Sequence, residues 1–153
     1  SAVAAAKADC IVSANFCPEF CQPDYAFFTN SKRFEKLDLA ALPCPVVLTS
    51  NLRPLPQGAL AVNYDRLAAP DVQNASLGSN SVLMLLRLLR LCNAAEVLLA
   101  GADGYRPGTA AYADTGLHTH TGRGAAYNAQ LAGAIRAAGL PVRFITPSEY
   151  ERA

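Results

Sequence analysis

The chain has 153 residues, of which 52% are hydrophobic and 16% are charged, and its formal net charge is +1. This length and composition are typical of one folded domain with a buried core, and they exclude a largely disordered protein. The 13 basic residues form no run and no stripe with aromatic residues, which argues against nucleic acid as a partner. The longest apolar stretch, Val82 to Leu91, contains Arg87 and Arg90 and is too short to cross a bilayer, so we expect no membrane partner and a soluble, cytoplasmic protein.

Five cysteines at irregular spacing predict no disulfide framework. Cys10 and Cys92 fall inside apolar segments, so we expect both thiols to be buried. Cys17 and Cys21 form a C-x3-C pair, but no second pair completes a set of four zinc ligands. The spacing therefore favours structural thiols over a metal or redox site.

In the first half of the chain, short apolar runs alternate with loops and one helical segment. Asn30 or Ser31 can cap a helix that continues through Phe34 and Leu37. The apolar runs are rich in β-branched and aromatic residues, as in strands buried on both faces. The predicted strands are Asp9–Ala14, Asp24–Thr29, Pro45–Ser50 and Ala59–Val62.

The second half begins with a polar loop, Ser76 to Asn80, that leads into the strongest helical pattern, Ser81 to Cys92. This helix is apolar nearly all round, so we expect it to pack between the sheet and another layer, and Asn93 to end it. The remaining predicted elements are the strand Ala95–Ala100, the helix Gly124–Ala138 ending at Gly139, and the strand Pro141–Thr146.

Alternating strands and helices predict an α/β fold, specifically a Rossmann-like three-layer sandwich with a mostly parallel sheet of about six strands. No internal repeat or linker divides the chain, so we expect a single domain over residues 1–153. Because the chain begins almost directly on a strand, we interpret it as a domain excised from a longer protein.

Four predicted strands run into an asparagine, namely Asn15, Asn30, Asn51 and Asn63. Ligands of open parallel sheets bind outside the carboxyl ends of the strands. An asparagine there offers a donor and an acceptor without charge, which suits a base, a sugar or a hydroxy acid. Asparagine is also common in turns and helix caps, and for any one of these residues that role is the more frequent. Four at equivalent positions favour a shared ligand site.

Two further segments are predicted to reach the same edge. The turn containing Ser79 and Asn80 precedes the apolar helix, so its N–H groups either hold a phosphate or carboxylate or belong to an ordinary N-cap. Asp103 follows the fifth strand, where it could accept a hydrogen bond from a ribose hydroxyl, hold a metal or order the turn. Tyr105 could stack on a ring of the ligand.

His118 and His120 form an H-x-H pair, which can bind a divalent metal from an extended segment. The pair resembles the metal-binding segment of metal-dependent acyl-lyases and aldolases, where it lies at the end of a barrel strand. Here it follows a loop without strand character, so the sequence assigns no metal to the domain. It assigns no cofactor either.

Most of the chain, from Asp9 to Glu151, carries a resemblance to a known family. The segments DYAFFTNSKRFEKL, VVLTSNL, NSVLMLLRLLRLCNAAEVLLAGADGY and PVRFITPSEYE resemble the C-terminal domain attached to some bacterial proteins of the HMG-CoA-lyase-like, 4-hydroxy-2-oxovalerate aldolase type. This resemblance implies a partner, the TIM-barrel aldolase domain of the same chain, and it implies that the aldolase reaction belongs to that barrel.

A more distant likeness concerns the helix–strand unit that ends in AGADGY. This unit is similar to bacterial sialyltransferases that bind a CMP-sugar and to pterin-diphosphokinase-like domains. The first strand is followed by ANFCPEF, where those proteins have a glycine-rich turn that lets the backbone approach a phosphate. The likeness implies a nucleotide pocket lined by Asn15, Asn30, Ser79, Asn80 and Asp103.

The residues and the resemblance together predict an accessory, non-catalytic domain that binds a small polar metabolite or nucleotide. One alternative is a nucleotide-sugar-dependent transferase with Asp103 and Tyr105 near the reacting centre. The other is a structural assembly domain, a homo-oligomer included, for which an apolar helix exposed on one side would be the signature.

Overall fold

The computed structural model describes residues 2–15, 21–38, 41–68, 75–106 and 124–153. Within these ranges the chain has an α/β fold in which all paired strands run parallel. The elements in chain order are α1 (Ala2–Ala5), β1 (Val12–Ala14), β2 (Tyr25–Phe28), α2 (Ser31–Phe34), β3 (Val46–Thr49), β4 (Leu60–Val62), α3 (Tyr64–Leu67), α4 (Ala75–Gly78), α5 (Ser81–Leu91), β5 (Val97–Leu99), α6 (Ala125–Arg136), β6 (Val142–Phe144) and α7 (Glu149–Arg152).

The strands form a four-stranded sheet in the order β1-β2-β3-β4 and a separate pair, β5-β6. The prediction of about six strands in one sheet is therefore wrong for the described residues. β1 and β5 have only three residues each, so either could add few hydrogen bonds to a ladder between them. Asn15 follows β1 with a φ of 55°, which turns the backbone away from the extended conformation.

Each predicted strand contains one observed strand, although the observed strands are shorter at their ends. The predicted helix stops are confirmed, because Asn93 and Gly139 both have the left-handed backbone that commonly follows a helix. The sequence did not predict α1, α3, α4 and α7. Each of these helices has four residues, too few to show a helical period.

The alternation of side chains along β2 builds two core clusters, one on each face of the four-stranded sheet. Ala26 and Phe28 pack on one face with Phe34 of α2 and Leu48 of β3. Phe27 points the other way, into a cluster on the opposite face. These three side chains are fully buried, as expected for a parallel strand covered on both sides.

The helix α5 contributes to two core clusters, the one that contains Phe27 and a third cluster. Met84 packs in the cluster that contains Phe27 of β2. Leu86 packs in a third cluster, together with Val97 of β5 and residues of α6. Residues of this helix therefore pack in two core clusters, one with β2 and β3 and one with β5 and α6. Neither α5 nor any other helix in the described ranges is long and apolar enough to span a membrane.

Two cysteine predictions are wrong, because Cys10 and Cys92 are exposed. Cys92 is the C-cap of α5 and lies beyond the last turn that packs on the core. Cys10 precedes β1, outside the part of the chain that the sheet covers. Partial burial, with the Asp24 carboxylate as a smaller cause, raises the pKa of the Cys10 thiol above its ordinary value. A raised pKa lowers the thiolate fraction of Cys10 at neutral pH.

Met84 packs with β2 and β3, and its helix α5 also packs in the cluster of β5, so we expect Met84→Ala to weaken the four-stranded sheet directly and the two-stranded sheet through α5. The side chain of Met84 is 0% exposed, and its truncation should cost about 2–5 kcal/mol of unfolding free energy in urea denaturation. Leu91→Ala on the same helix, where the side chain is 57% exposed, is the control and should cost less than about 0.5 kcal/mol.

Hydrogen exchange of the Met84→Ala variant locates the effect. We expect faster exchange of amides in β2 and β3 and also in β5 and β6, because both sheets rest on α5. Unchanged protection of β5 and β6 would show that the two-stranded sheet does not depend on the packing of α5 against β2 and β3.

Candidate functional site

Asn15 is held in place by three hydrogen bonds at the carboxyl end of β1. Its backbone N–H donates to the carbonyl of Phe27 over 2.8 Å. Its side-chain Oδ1 accepts from the backbone N–H of Thr29 over 3.0 Å, and its Nδ2 donates to Ser81 Oγ. Asn15 is 7% exposed, and its positive φ is one that asparagine tolerates better than most residues. Its amide group therefore connects β1, β2 and the start of α5.

Thr29 and Ser81 complete this connection. Their hydroxyl oxygens lie 2.8 Å apart, and the carbonyl of Thr29 accepts from Asn51 Nδ2 over 3.3 Å. We call Asn15, Thr29, Asn51 and Ser81 the rim network. It joins the carboxyl ends of β1, β2 and β3 to the first residue of α5. All four side chains are neutral, and none of them is an acid or a base that could activate the Ser81 hydroxyl.

The sequence allowed two arrangements at the start of α5, an anion-binding turn or an ordinary N-cap. The structure has the N-cap. Asn80 Oδ1 accepts from the backbone N–H groups of Val82 and Leu83, over 3.0 and 3.4 Å. These are the groups that would otherwise be offered to an anion at a helix N-terminus. Asn80 Nδ2 donates to the hydroxyl of Tyr127 in α6 over 3.4 Å. One asparagine thus closes the end of α5 and ties it to α6.

The segment after β5 is fixed by α6. Asn128 Oδ1 accepts from the N–H of Tyr105 over 3.0 Å, and Asn128 Nδ2 donates to the carbonyl of the same residue over 2.8 Å. The ring of Tyr105 packs edge-to-face on Tyr127, with ring centroids 5.3 Å apart. Since Tyr127 also contacts Asn80, an unbroken series of contacts runs from Tyr105 to the start of α5.

Asp103 lies on the same segment, with an exposed side chain. Its carbonyl accepts from the N–H of Glu149 at the start of α7, over 2.9 Å. The next residue, Gly104, has a φ of 88°, and a Cβ there would come within 2.8 Å of Glu149 Cβ. Only glycine fits at this position, so the close approach of α7 sets the path of the backbone around Asp103.

The structure separates the predicted site residues into three groups. Asn15 and Asn51 belong to the rim network, where both contact Thr29. Asn30, Asn63 and Asn80 have the capping role, because each accepts a hydrogen bond from the first turn of the helix that it precedes. The exposed residues Ser79 and Asp103, with the half-buried Tyr105, lie at the start of α5 and after β5.

Sequence reasoning missed Thr29, Ser81, Tyr127 and Asn128. Asn128 carried a usable signal, since it is an asparagine inside an alanine-rich helix, where its side chain normally competes with the helical backbone. Such a residue at a position 4% exposed must have polar partners elsewhere in the fold. The hydroxyls of Thr29 and Ser81 gave no comparable signal.

No metal site is formed by the described residues, which contain no group of three or more histidine, cysteine, aspartate or glutamate side chains able to hold an ion. The predicted H-x-H pair, His118 and His120, lies outside the described residues, as does Cys17 of the C-x3-C pair.

Comparison with known proteins adds no identification. No family model matches the chain, and no curated protein and no solved structure matches it either. The likeness to aldolase-associated domains and to CMP-binding transferases therefore stays a prediction from the sequence.

The two roles of Asn15, its backbone conformation and its side-chain bonds, can be separated by two substitutions. Asn15→Gly keeps the positive φ at no steric cost but leaves the buried N–H of Thr29 without its acceptor, a loss of about 1–3 kcal/mol. Asn15→Ala loses the same bond and adds about 1–2 kcal/mol for a left-handed non-glycine residue. Urea denaturation should therefore rank the unfolding free energies as wild type, Gly variant, Ala variant. Equal stability of the two variants would contradict a left-handed backbone at position 15.

Asn128→Leu tests how the segment after β5 is held. The change keeps the bulk of the side chain but leaves the N–H and the carbonyl of Tyr105 without Asn128, which should cost about 2–4 kcal/mol in thermal or urea unfolding. The edge-to-face contact between Tyr105 and Tyr127 should weaken as well, which near-ultraviolet circular dichroism would detect. A variant with native stability and an unchanged tyrosine signal would refute this arrangement.

Proposed function

We propose that this domain binds a small polar ligand, a polar metabolite or a nucleotide, at the edge formed by the carboxyl ends of its strands. The observation that supports this most directly is the rim network, in which Asn15, Thr29 and Ser81 bring side-chain donors and acceptors from three separate elements to one place. Polar groups converging from several elements are typical of ligand sites, because they can orient a ligand by hydrogen bonding.

The chain connectivity supports the same location. The first four strands follow one another in order outward from β1 to β4, and the chain then returns through α5 to start the pair β5-β6. We propose a Rossmann-like arrangement in which β1 and β5 are neighbours, so that the order of strands reverses between them. Ligands of such folds bind in the crevice at this point of reversal. α5 packs against both sheets, and its first residue belongs to the rim network.

The chemistry of the rim network supports binding in preference to catalysis. Its amides and hydroxyls can recognise the edge of a base or the hydroxyls of a sugar. The Ser81 hydroxyl has an amide and another hydroxyl as its partners, which supply no general base. We therefore propose an accessory domain; the sequence resemblance would imply that any aldolase reaction belongs to a separate barrel domain.

The experiment is a thermal-shift screen with nucleosides, nucleotides, sugars and 2-oxo acids. A true ligand at about 100 times its dissociation constant should stabilise the native state by about 2.7 kcal/mol, or roughly 5–10 °C in melting temperature. Asn51→Ala should reduce this shift strongly while preserving the fold, because Asn51 is exposed and its hydrogen bond to Thr29 is a long one.

The matched control is Asn63→Ser. Asn63 also follows a strand but caps α3, and serine keeps a capping oxygen, so the shift should be unchanged. A screen in which no compound raises the melting temperature would count against ligand binding. An equal loss in both variants would show that the ligand site is not at the rim network.

A further inference from the structure

The N-terminus of α5 affects which chemical group of a ligand the rim network accepts. This inference rests on the proposed function. In many α/β domains a helix N-terminus at this edge holds a phosphate, because its first N–H groups are unpaired and the helix dipole favours an anion. Here Asn80 Oδ1 already accepts from the N–H groups of Val82 and Leu83. An anion could reach these amides only by displacing the Asn80 side chain.

The rim-network side chains beside the capped N-terminus of α5 are also uncharged. Ser81, the first residue of α5, bonds to the Asn15 amide and the Thr29 hydroxyl, and the described residues place no lysine or arginine in the rim network. Asn80 is itself held in its capping position from the other side, by the hydroxyl of Tyr127. A phosphate here would find the Val82 and Leu83 amides already paired and no cation among the rim-network side chains, and charged partners are what make its hydrogen bonds strong.

We propose that Asn80 is a specificity-determining residue, which closes the N-terminus of α5 to anions so that the rim network receives a neutral hydroxyl or carboxamide group of the ligand. For a nucleotide, this assigns the base or the sugar to the rim and excludes the phosphates from it. For a metabolite, it selects a polyol, a sugar or an amide over an organic phosphate at this position.

The test uses inorganic phosphate as the probe and the backbone amide signals of Val82 and Leu83 as the readout, by ¹H–¹⁵N NMR. In the wild-type protein these signals should not move with phosphate up to about 20 mM, a concentration that would detect weak binding. Asn80→Gly should retain the fold, because glycine is tolerated at an N-cap, but it frees both amides. In that variant both signals should shift, with an affinity at least about tenfold above that of the wild type.

Asn80→Ser is the matched control. Serine loses the contact to Tyr127 just as glycine does, but it keeps an oxygen that caps the helix, so the Val82 and Leu83 signals should stay unmoved by phosphate. Only the signals of these two amides are read, because α6 begins at Gly124 without a side-chain cap. Phosphate that binds at α6 would then not be mistaken for binding at α5.

Phosphate-dependent shifts of Val82 and Leu83 in the wild type would overturn the proposal, as would their absence in Asn80→Gly. Because the probe is phosphate alone, this result does not depend on finding the ligand. An unsuccessful ligand screen would thus count against the proposed function and leave the role of Asn80 to be decided by these titrations.

Discussion

The packing of α5 against both sheets is the interaction on which the other features of the structure depend. Its side chains share one cluster with β2 and β3 and another with β5 and α6, so the two sheets are joined through this helix. Once α5 is fixed in this way, its first residue, Ser81, must lie beside the ends of β1 and β2. The position of the polar rim network is thus a consequence of apolar packing along the rest of the helix.

Asparagine has two distinct uses in this protein. At Asn30, Asn63 and Asn80 the side chain caps the helix that follows, and satisfies N–H groups that the helix cannot pair internally. At Asn15 and Asn128 the side chain instead bonds to the backbone of another element and holds two parts of the chain together. The same amide chemistry serves both purposes because it donates and accepts without the cost of burying a charge.

The local features of the fold could be predicted because they depend on neighbouring residues. Short β-branched runs indicated the strands, and the left-handed residues Asn93 and Gly139 marked the ends of α5 and α6. For the candidate site, the asparagines after strands predicted the edge of the sheet at which the rim network lies. Which of them cap helices and which belong to the rim network could not be read from the chain, because in the sequence each of them simply follows a predicted strand.

The sequence by itself determined the α/β class, the parallel strands, the buried character of α5 and the edge where polar groups collect. These follow from periodicity, strand composition and helix capping, which act over a few residues. Only the tertiary structure decided the division into two sheets, the bond between Asn15 and Ser81 across 66 positions, and the attachment of Asn128 to Tyr105 across 23. Such contacts depend on how the packed elements lie against one another, and no local pattern of residues records that arrangement.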